Sequence, residues 1–366
     1  MMRTLLFKTC LLFLLALPFA VNANSINARW GGKYTREKTI KKEFAVNADA
    51  LFKVKNSYGN LTISSWNQNK VLIEVHVKTN GNNEERVKER LAEIDVDFEN
   101  TPSLVSAITR FGERNSGWNW SWGNKKSVNV QVNYTIKLPT KNSVNLSNDY
   151  GNIYLDRIDG HAKISCDYGK MEIGELRGRN NELRFDYTSK SSFEYINSAE
   201  IIADYSGFTI EKAGNLIVRA DYTNATIQNM GNLDYSSDYG SITAENVKNV
   251  KGNGDYISVK LGNVSGNVDL VADYGSIKIA NLTADAGNVS IRTDYTGVKL
   301  GYDADYHFNF EITTEYAGVS GKEDLEINIS QEKSSDKYYK GYYGSSSAKN
   351  NVIINSEYGG VSLSKN

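Results

Sequence analysis

Nine aspartates in this chain each stand immediately before a tyrosine or continue that series: Asp149, Asp167, Asp186, Asp204, Asp221, Asp238, Asp255, Asp273 and Asp294, with Glu315 and Glu357 after them. A column of carboxylates could serve acid–base chemistry or bind calcium, which takes several oxygen ligands. Acid–base work needs two carboxyls in different environments, and identical neighbours do not separate an acid from a base. The Gly-Gly-x-Gly-x-Asp pattern of calcium-binding solenoids is absent. Stacked at a strand spacing of ~4.8 Å, neighbouring carboxylates repel by about 0.9 kcal/mol in water. A carboxylate that accepts a backbone N–H at a corner tolerates that cost. His76, His161 and His307 are scattered, with no zinc spacing and no nucleophile motif. The column therefore reads as structural, and no catalytic residue, metal or cofactor is assigned.

The aromatic residues are the better candidates for recognition. Trp118, Trp120 and Trp122 alternate with Asn119 and Ser121 in a Gly/Asn/Ser-rich stretch. On one face of a hairpin they would make a platform for sugar rings or a partner, or a tip folded back as cover. Tyr338, Tyr339, Tyr342 and Tyr343 sit in a Ser/Gly/Tyr-rich stretch expected as a surface loop over 331–349, a composition suited to recognition. The tyrosines that follow the aspartates share parity with inward residues, and this favours packing inside a corner. Facing outward, they would form a continuous aromatic strip for glycans.

These residues are positioned by a repeat. Tyr150, Tyr168, Tyr187, Tyr205, Tyr222, Tyr239, Tyr256, Tyr274, Tyr295 and Tyr316 are spaced by 17 to 21 residues, with outlying copies at Tyr58 and Tyr358. Apolar residues stand six and four positions before each tyrosine and three and five after it, as in Leu216, Val218, Ile277 and Ile279. The residue two before is usually small: Cys166, Ala203, Ala220, Ser237, Gly254, Ala272, Thr293. A spacing of two within each block marks a strand with one buried face, and the break in parity after the tyrosine marks a corner. One such unit cannot bury enough to fold alone, so the units must stack. The expected fold is all-β: a single-stranded parallel β-helix with about 17–21 residues per coil. Lys190 and Ser192 break the pattern after Tyr187 and predict a bulge or widened coil.

The rest of the chain is read around this body. Arg3, Lys8 and the apolar run from Leu11 to Val21 resemble an export signal over 1–23. Without Arg3 and Lys8 the charge balance is 40 basic against 43 acidic residues, which gives nucleic acid no basic surface to bind. No later segment is apolar enough to span a membrane. Cys166 is the one cysteine left after the leader and reads as a buried packing thiol. Residues 24–140 read as a strand-rich capping module with a helix over 83–94, where Val87, Leu91 and Ile94 form one stripe. Residues 141–366 read as the repeat domain.

The run Tyr134-Thr-Ile-Lys-Leu-Pro139, then Val144-Asn-Leu146, the turn Tyr150-Gly151-Asn152-Ile153 and Gly160 resembles the bacterial putative-adhesin family of β-strand-repeat proteins. That family is related to the head domain of autotransporter adhesins of the same description. Its usual Asn-Gly-Asp turn is here Tyr-Gly-Asn or Tyr-Gly-Ser. With the parallel-crossover rule, the resemblance implies a right-handed β-helix. It also implies an exported, non-enzymatic adhesin or envelope scaffold, in the periplasm or on the surface of a Gram-negative-type bacterium. Expected partners are glycans or envelope proteins, with neither nucleic acid nor a membrane span. The alternative is a polysaccharide-acting β-helix enzyme.

Overall fold

The computed structural model describes residues 30–112 and 128–366. The leader expected over 1–23 and the tryptophans 118, 120 and 122 lie outside the described residues. The protein is all-β: among the described residues, 27 strands and one helix are present, and the strands join into one hydrogen-bonded sheet. No helix among those residues is long and apolar enough to cross a membrane.

Two parallel ladders organise the strands. The strand before one tyrosine pairs with the strand before the next, as Ser143–Asp149 with Ala162–Asp167. The strand after each tyrosine does the same, as Ile153–Ile158 with Met171–Leu176. Mid-chain, the segments fuse, so Gly207–Arg219 and Asn224–Ser236 each pass from one ladder into the other. Register holds residue for residue. Ala225 lies opposite Ile242, and Ile242 opposite Val259.

Between the ladders lies a continuous apolar core. Around Tyr222 the buried residues are Leu216, Val218 and Ala220 before it, and Ala225, Ile227 and Met230 after it. These are the positions that the period-two pattern marks as inward. Each large side chain contributes roughly 1.5–3 kcal/mol by leaving water. Volume is balanced between neighbouring repeats: Tyr235 is buried below Gly252, where a Cβ would stand 2.0 Å from its ring. The irregularity after Tyr187 is one inserted residue, taken up by Lys190 at φ 61°, after which Ser191 rejoins the ladder opposite Phe208.

Both ends are covered by antiparallel strands. At the amino-terminal end, Leu51–Ser57 and Leu61–Trp66 stack beneath the repeat of Tyr150. Leu104–Arg110 and Asn129–Pro139 add one further parallel strand to each ladder. Asp95–Thr101 covers the first of these, and Lys70–Gly81 with Tyr34–Ala45 covers the second. The helix Glu84–Glu93 follows Lys70–Gly81, and Asn83 caps it by accepting from the Arg86 N–H. The Thr79 hydroxyl donates to the Val87 carbonyl at 3.0 Å and ties the helix to the sheet.

The other end departs from the order of the sequence. Asn350–Glu357 and Val361–Lys365, read as the last repeat, lie between the repeats of Tyr295 and Tyr316. Phe308–Glu315 is the next layer out, and its other edge takes the antiparallel hairpin of Asp336–Tyr343 and Glu326–Glu332. Residues 336–343 thus form a strand, not part of a loop over 331–349, and Tyr339 is buried. Their Ser/Gly/Tyr composition hid an alternation that places Tyr339 and Gly341 on the buried side.

The Tyr235 hydroxyl is buried without a hydrogen-bond partner. An unmade bond of this kind costs ~1–3 kcal/mol. Tyr235→Phe is expected to raise the unfolding free energy in denaturant titration by about 1 kcal/mol. A loss of stability would mean that the hydroxyl is bonded in solution.

Candidate functional site

Twelve tyrosines, from Tyr58 to Tyr358, share one backbone conformation, with φ between 47° and 63°. This is the left-handed region, which costs a non-glycine residue roughly 1–2 kcal/mol. It is also what makes the corner. An extended strand would put the tyrosine on the inward face, and the left-handed residue reverses that pleat. The structure therefore overturns the expectation that these rings pack inside: they point outward and are 46–59% exposed.

The corner is held by its neighbours. Each tyrosine N–H continues the ladder, as Tyr222 to the Asp238 carbonyl at 2.9 Å and Tyr239 to that of Asp255 at 3.0 Å. The following residue points inward. Thr188, Thr223 and Thr296 are buried there, with the Thr223 hydroxyl 2.9 Å from the Ala203 carbonyl. Gly240 occupies the same position, where a Cβ would fall 2.0 Å from the Thr223 carbonyl oxygen.

Outward, the rings form one column. Successive rings stack at centroid distances of 4.6–5.3 Å and interplanar angles of 2–11° from Tyr58 to Tyr295, then Tyr358 and Tyr316. Phe111 closes the first end edge-on at 5.7 Å. At ~4.8 Å per repeat the column runs on the order of 50 Å. Because each ring covers its neighbour's face, the solvent meets ring edges and hydroxyls. Burial first, then neighbouring phenols and carboxylates, raise the pKa of Tyr168, Tyr239, Tyr274 and Tyr358.

The aspartate column lies beside the rings and has a backbone role. The Asp221 N–H donates to Asp204 Oδ1 at 3.1 Å, Asp238 to Asp221 at 3.1 Å and Asp255 to Asp238 at 2.8 Å. Burial, then the flanking carboxylates, raises the Asp255 pKa; burial is also the leading cause of the rise at Asp167. Among the described residues, no group of three or more His, Cys, Asp or Glu side chains is placed to hold a metal. Cys166 is buried, and burial followed by Asp167 and Asp149 pushes its thiol up to about 12.

The structure does not join the expected site residues Tyr338, Tyr339, Tyr342 and Tyr343 to this column. The Tyr339 hydroxyl donates to the Glu332 carboxylate, and the Lys322 ammonium lies 3.9 Å from its ring centre. Tyr343 packs on Tyr302 and Phe308 at 4.9 and 5.6 Å. Tyr338 and Tyr342 are half-buried in the same hairpin strand. Two asparagine columns escaped the sequence reading. In one, Asn232 donates to Asn215 at 2.5 Å and Asn249 to Asn232 at 2.7 Å. In the other, Asn246 donates to Asn229 and Asn263 to Asn246, both at 3.0 Å. Asparagine recurring seven residues before and seven after successive tyrosines was the available signal.

No family model and no curated protein matches the chain. Among solved structures, it is similar to a putative cell adhesion protein from Clostridium sporogenes, at 14% identity over 90% of this chain and 100% of that one, with a TM-score of 0.18. It is similar to a putative adhesin from Parabacteroides distasonis at 11% identity, covering 89% and 97% of the two chains, with a TM-score of 0.30. A putative adhesin from Parabacteroides merdae gives 8% identity, 89% and 96% coverage and a TM-score of 0.31. The adhesin description is shared with the family that the sequence resembles.

Two measurements test the column. Tyr222→Gly is expected to retain about 1 kcal/mol more stability than Tyr222→Ala, because only alanine keeps the left-handed strain. Equal losses would mean that the corner is relaxed. The raised tyrosine pKa values also carry a sign. The neutral phenol is favoured in the folded state, so this stability is complete below pH 10 and is lost as pH rises through the folded values. A phenolate absorbance titration should show part of the tyrosines ionising above the unfolded chain's midpoint, with the melting temperature falling over that range.

Proposed function

We propose that this protein is an exported, non-enzymatic binding protein of the cell envelope, of adhesin type, whose ligand lies along the tyrosine column. In this reading the chain is a single-stranded, right-handed parallel β-helix, supported by its two in-register parallel ladders. Residues 24–140 cap one end, residues 141–366 form the body, and residues 1–23 direct export to the periplasm or the surface.

One observation carries the proposal. Glycine would occupy the left-handed corner without strain, yet twelve corners hold tyrosine with the ring half in water. Ring stacking contributes about 0.5–1.5 kcal/mol per pair, which roughly offsets the backbone cost and leaves little net stability to explain the choice. Among the described residues, no hydroxyl of the column has a hydrogen-bond partner, so it presents a line of free donors and acceptors between apolar edges. A linear glycan, with hydroxyls and apolar C–H edges along its length, matches that line. Trp118, Trp120 and Trp122 are proposed, on sequence grounds, as a further part of the recognition surface. A non-enzymatic role is supported by the aspartate column, whose members repeat one backbone contact and are not divided into acid and base.

A glycan array probed with the chain lacking residues 1–23 tests this. Changing Tyr205, Tyr222 and Tyr239 to Asn, which tolerates the left-handed corner, should weaken binding about tenfold or more. Undiminished binding would sink the proposal. Cleavage of a bound glycan, seen as new reducing ends, would favour the β-helix enzyme instead.

A further inference from the structure

The repeats of Tyr256, Tyr274 and Tyr295 carry a second column, of lysines, that nothing among the described residues neutralises. On the strand after each tyrosine, outward positions alternate with buried ones. Tyr274, Ser276 and Lys278 face out, while Ile277 and Ile279 face in. Lys278 lies directly opposite Lys260 on one side and Lys299 on the other. At the intervening outward position stand Ser276, Gly297, Gly318 and Gly360, and a cleft of about 600 Å³ runs over them, with all three lysines in its lining.

The three ammonium groups are exposed, and among the described residues they make no ion pair. Other lysines of the same sheet do: Lys163 with Glu182 at 2.5 Å and Lys340 with Glu311 at 3.3 Å. One repeat apart, the stacked charges repel one another, and no carboxylate among the described residues answers them. The charge is also local. In the repeats of Tyr205, Tyr222 and Tyr239 the same position holds Thr209, Thr226 and Thr243.

We infer that this cleft binds the acidic groups of a linear anionic polysaccharide, with carboxylates or sulfates set on the lysine column and sugar hydroxyls on the adjoining tyrosines and serines. The inference rests on the glycan reading above and adds the ligand's charge and its place. A floor of glycine and serine admits a chain lying along the axis. The aspartate column would repel an anion, which leaves the lysine side as the favourable one. A single-stranded nucleic acid fits less well, because its bases need exposed ring faces, and here each ring covers the next.

The test measures affinities of the chain lacking residues 1–23 for polygalacturonate, dextran sulfate, a neutral glycan from the array and a single-stranded oligothymidylate. The triple variant Lys260→Gln, Lys278→Gln, Lys299→Gln should lose about tenfold for both acidic polymers, the sum of three exposed ion pairs. Its neutral-glycan affinity should be unchanged and its melting temperature no lower. Lys278→Glu alone should lose more than Lys278→Gln alone. Undiminished acidic binding by the triple variant, or tighter binding of oligothymidylate than of either acidic polymer, would overturn the inference. Neutral glycans bound with no preference for acidic ones would overturn it and leave the glycan reading standing. Failure to bind any sugar would remove both.

Discussion

Each repeat must return the chain to a point one strand spacing above where it began, in register. Everything else follows from that return. It limits the repeat to 17–21 residues through most of the chain and requires an abrupt reversal of the pleat at the corner. It also turns any residue used at one position into a column of that residue. A column of like groups adds stability only where the contact between layers is favourable or the charge is offset. Asparagines satisfy this by bonding amide to amide. Aspartates do so by accepting the next backbone N–H, and tyrosines by stacking.

The tyrosine column is where the return of the chain and the proposed recognition meet. The left-handed corner sets the ring outward, and the fixed strand spacing sets its neighbour within stacking distance. Neither property needs the other eleven tyrosines, but their repetition converts a single exposed ring into an extended surface. Backbone strain and ring contact nearly cancel, so the column adds little net stability.

Much of this was legible in the sequence. Period-two blocks around each tyrosine, with small residues at Cys166 or Ala220, identified the inward face and the all-β class. The helix after Asn83 and the extra residue at Lys190 were also legible, because caps and breaks in period are local. Two features were not. Parity alone put the tyrosines inside, since a left-handed tyrosine leaves no mark in composition where a glycine would have done so. The hairpin strand of Tyr339 was hidden because its partners, at Phe308–Glu315 and Glu326–Glu332, are set by tertiary pairing. The neighbours of Lys278 became meaningful only once the repeats were placed in register.

The insertion of residues 350–365 has a mechanical consequence. A layer at the end of a stack can be peeled off by breaking one interface. The segment carrying residue 366 is clamped on both sides, by Val289–Asp294 and Phe308–Glu315 in one ladder and by Gly297–Tyr302 and Val319–Ser320 in the other. Tension applied there must break both interfaces to draw the segment out. The segment therefore resists being drawn out by tension better than an end layer would.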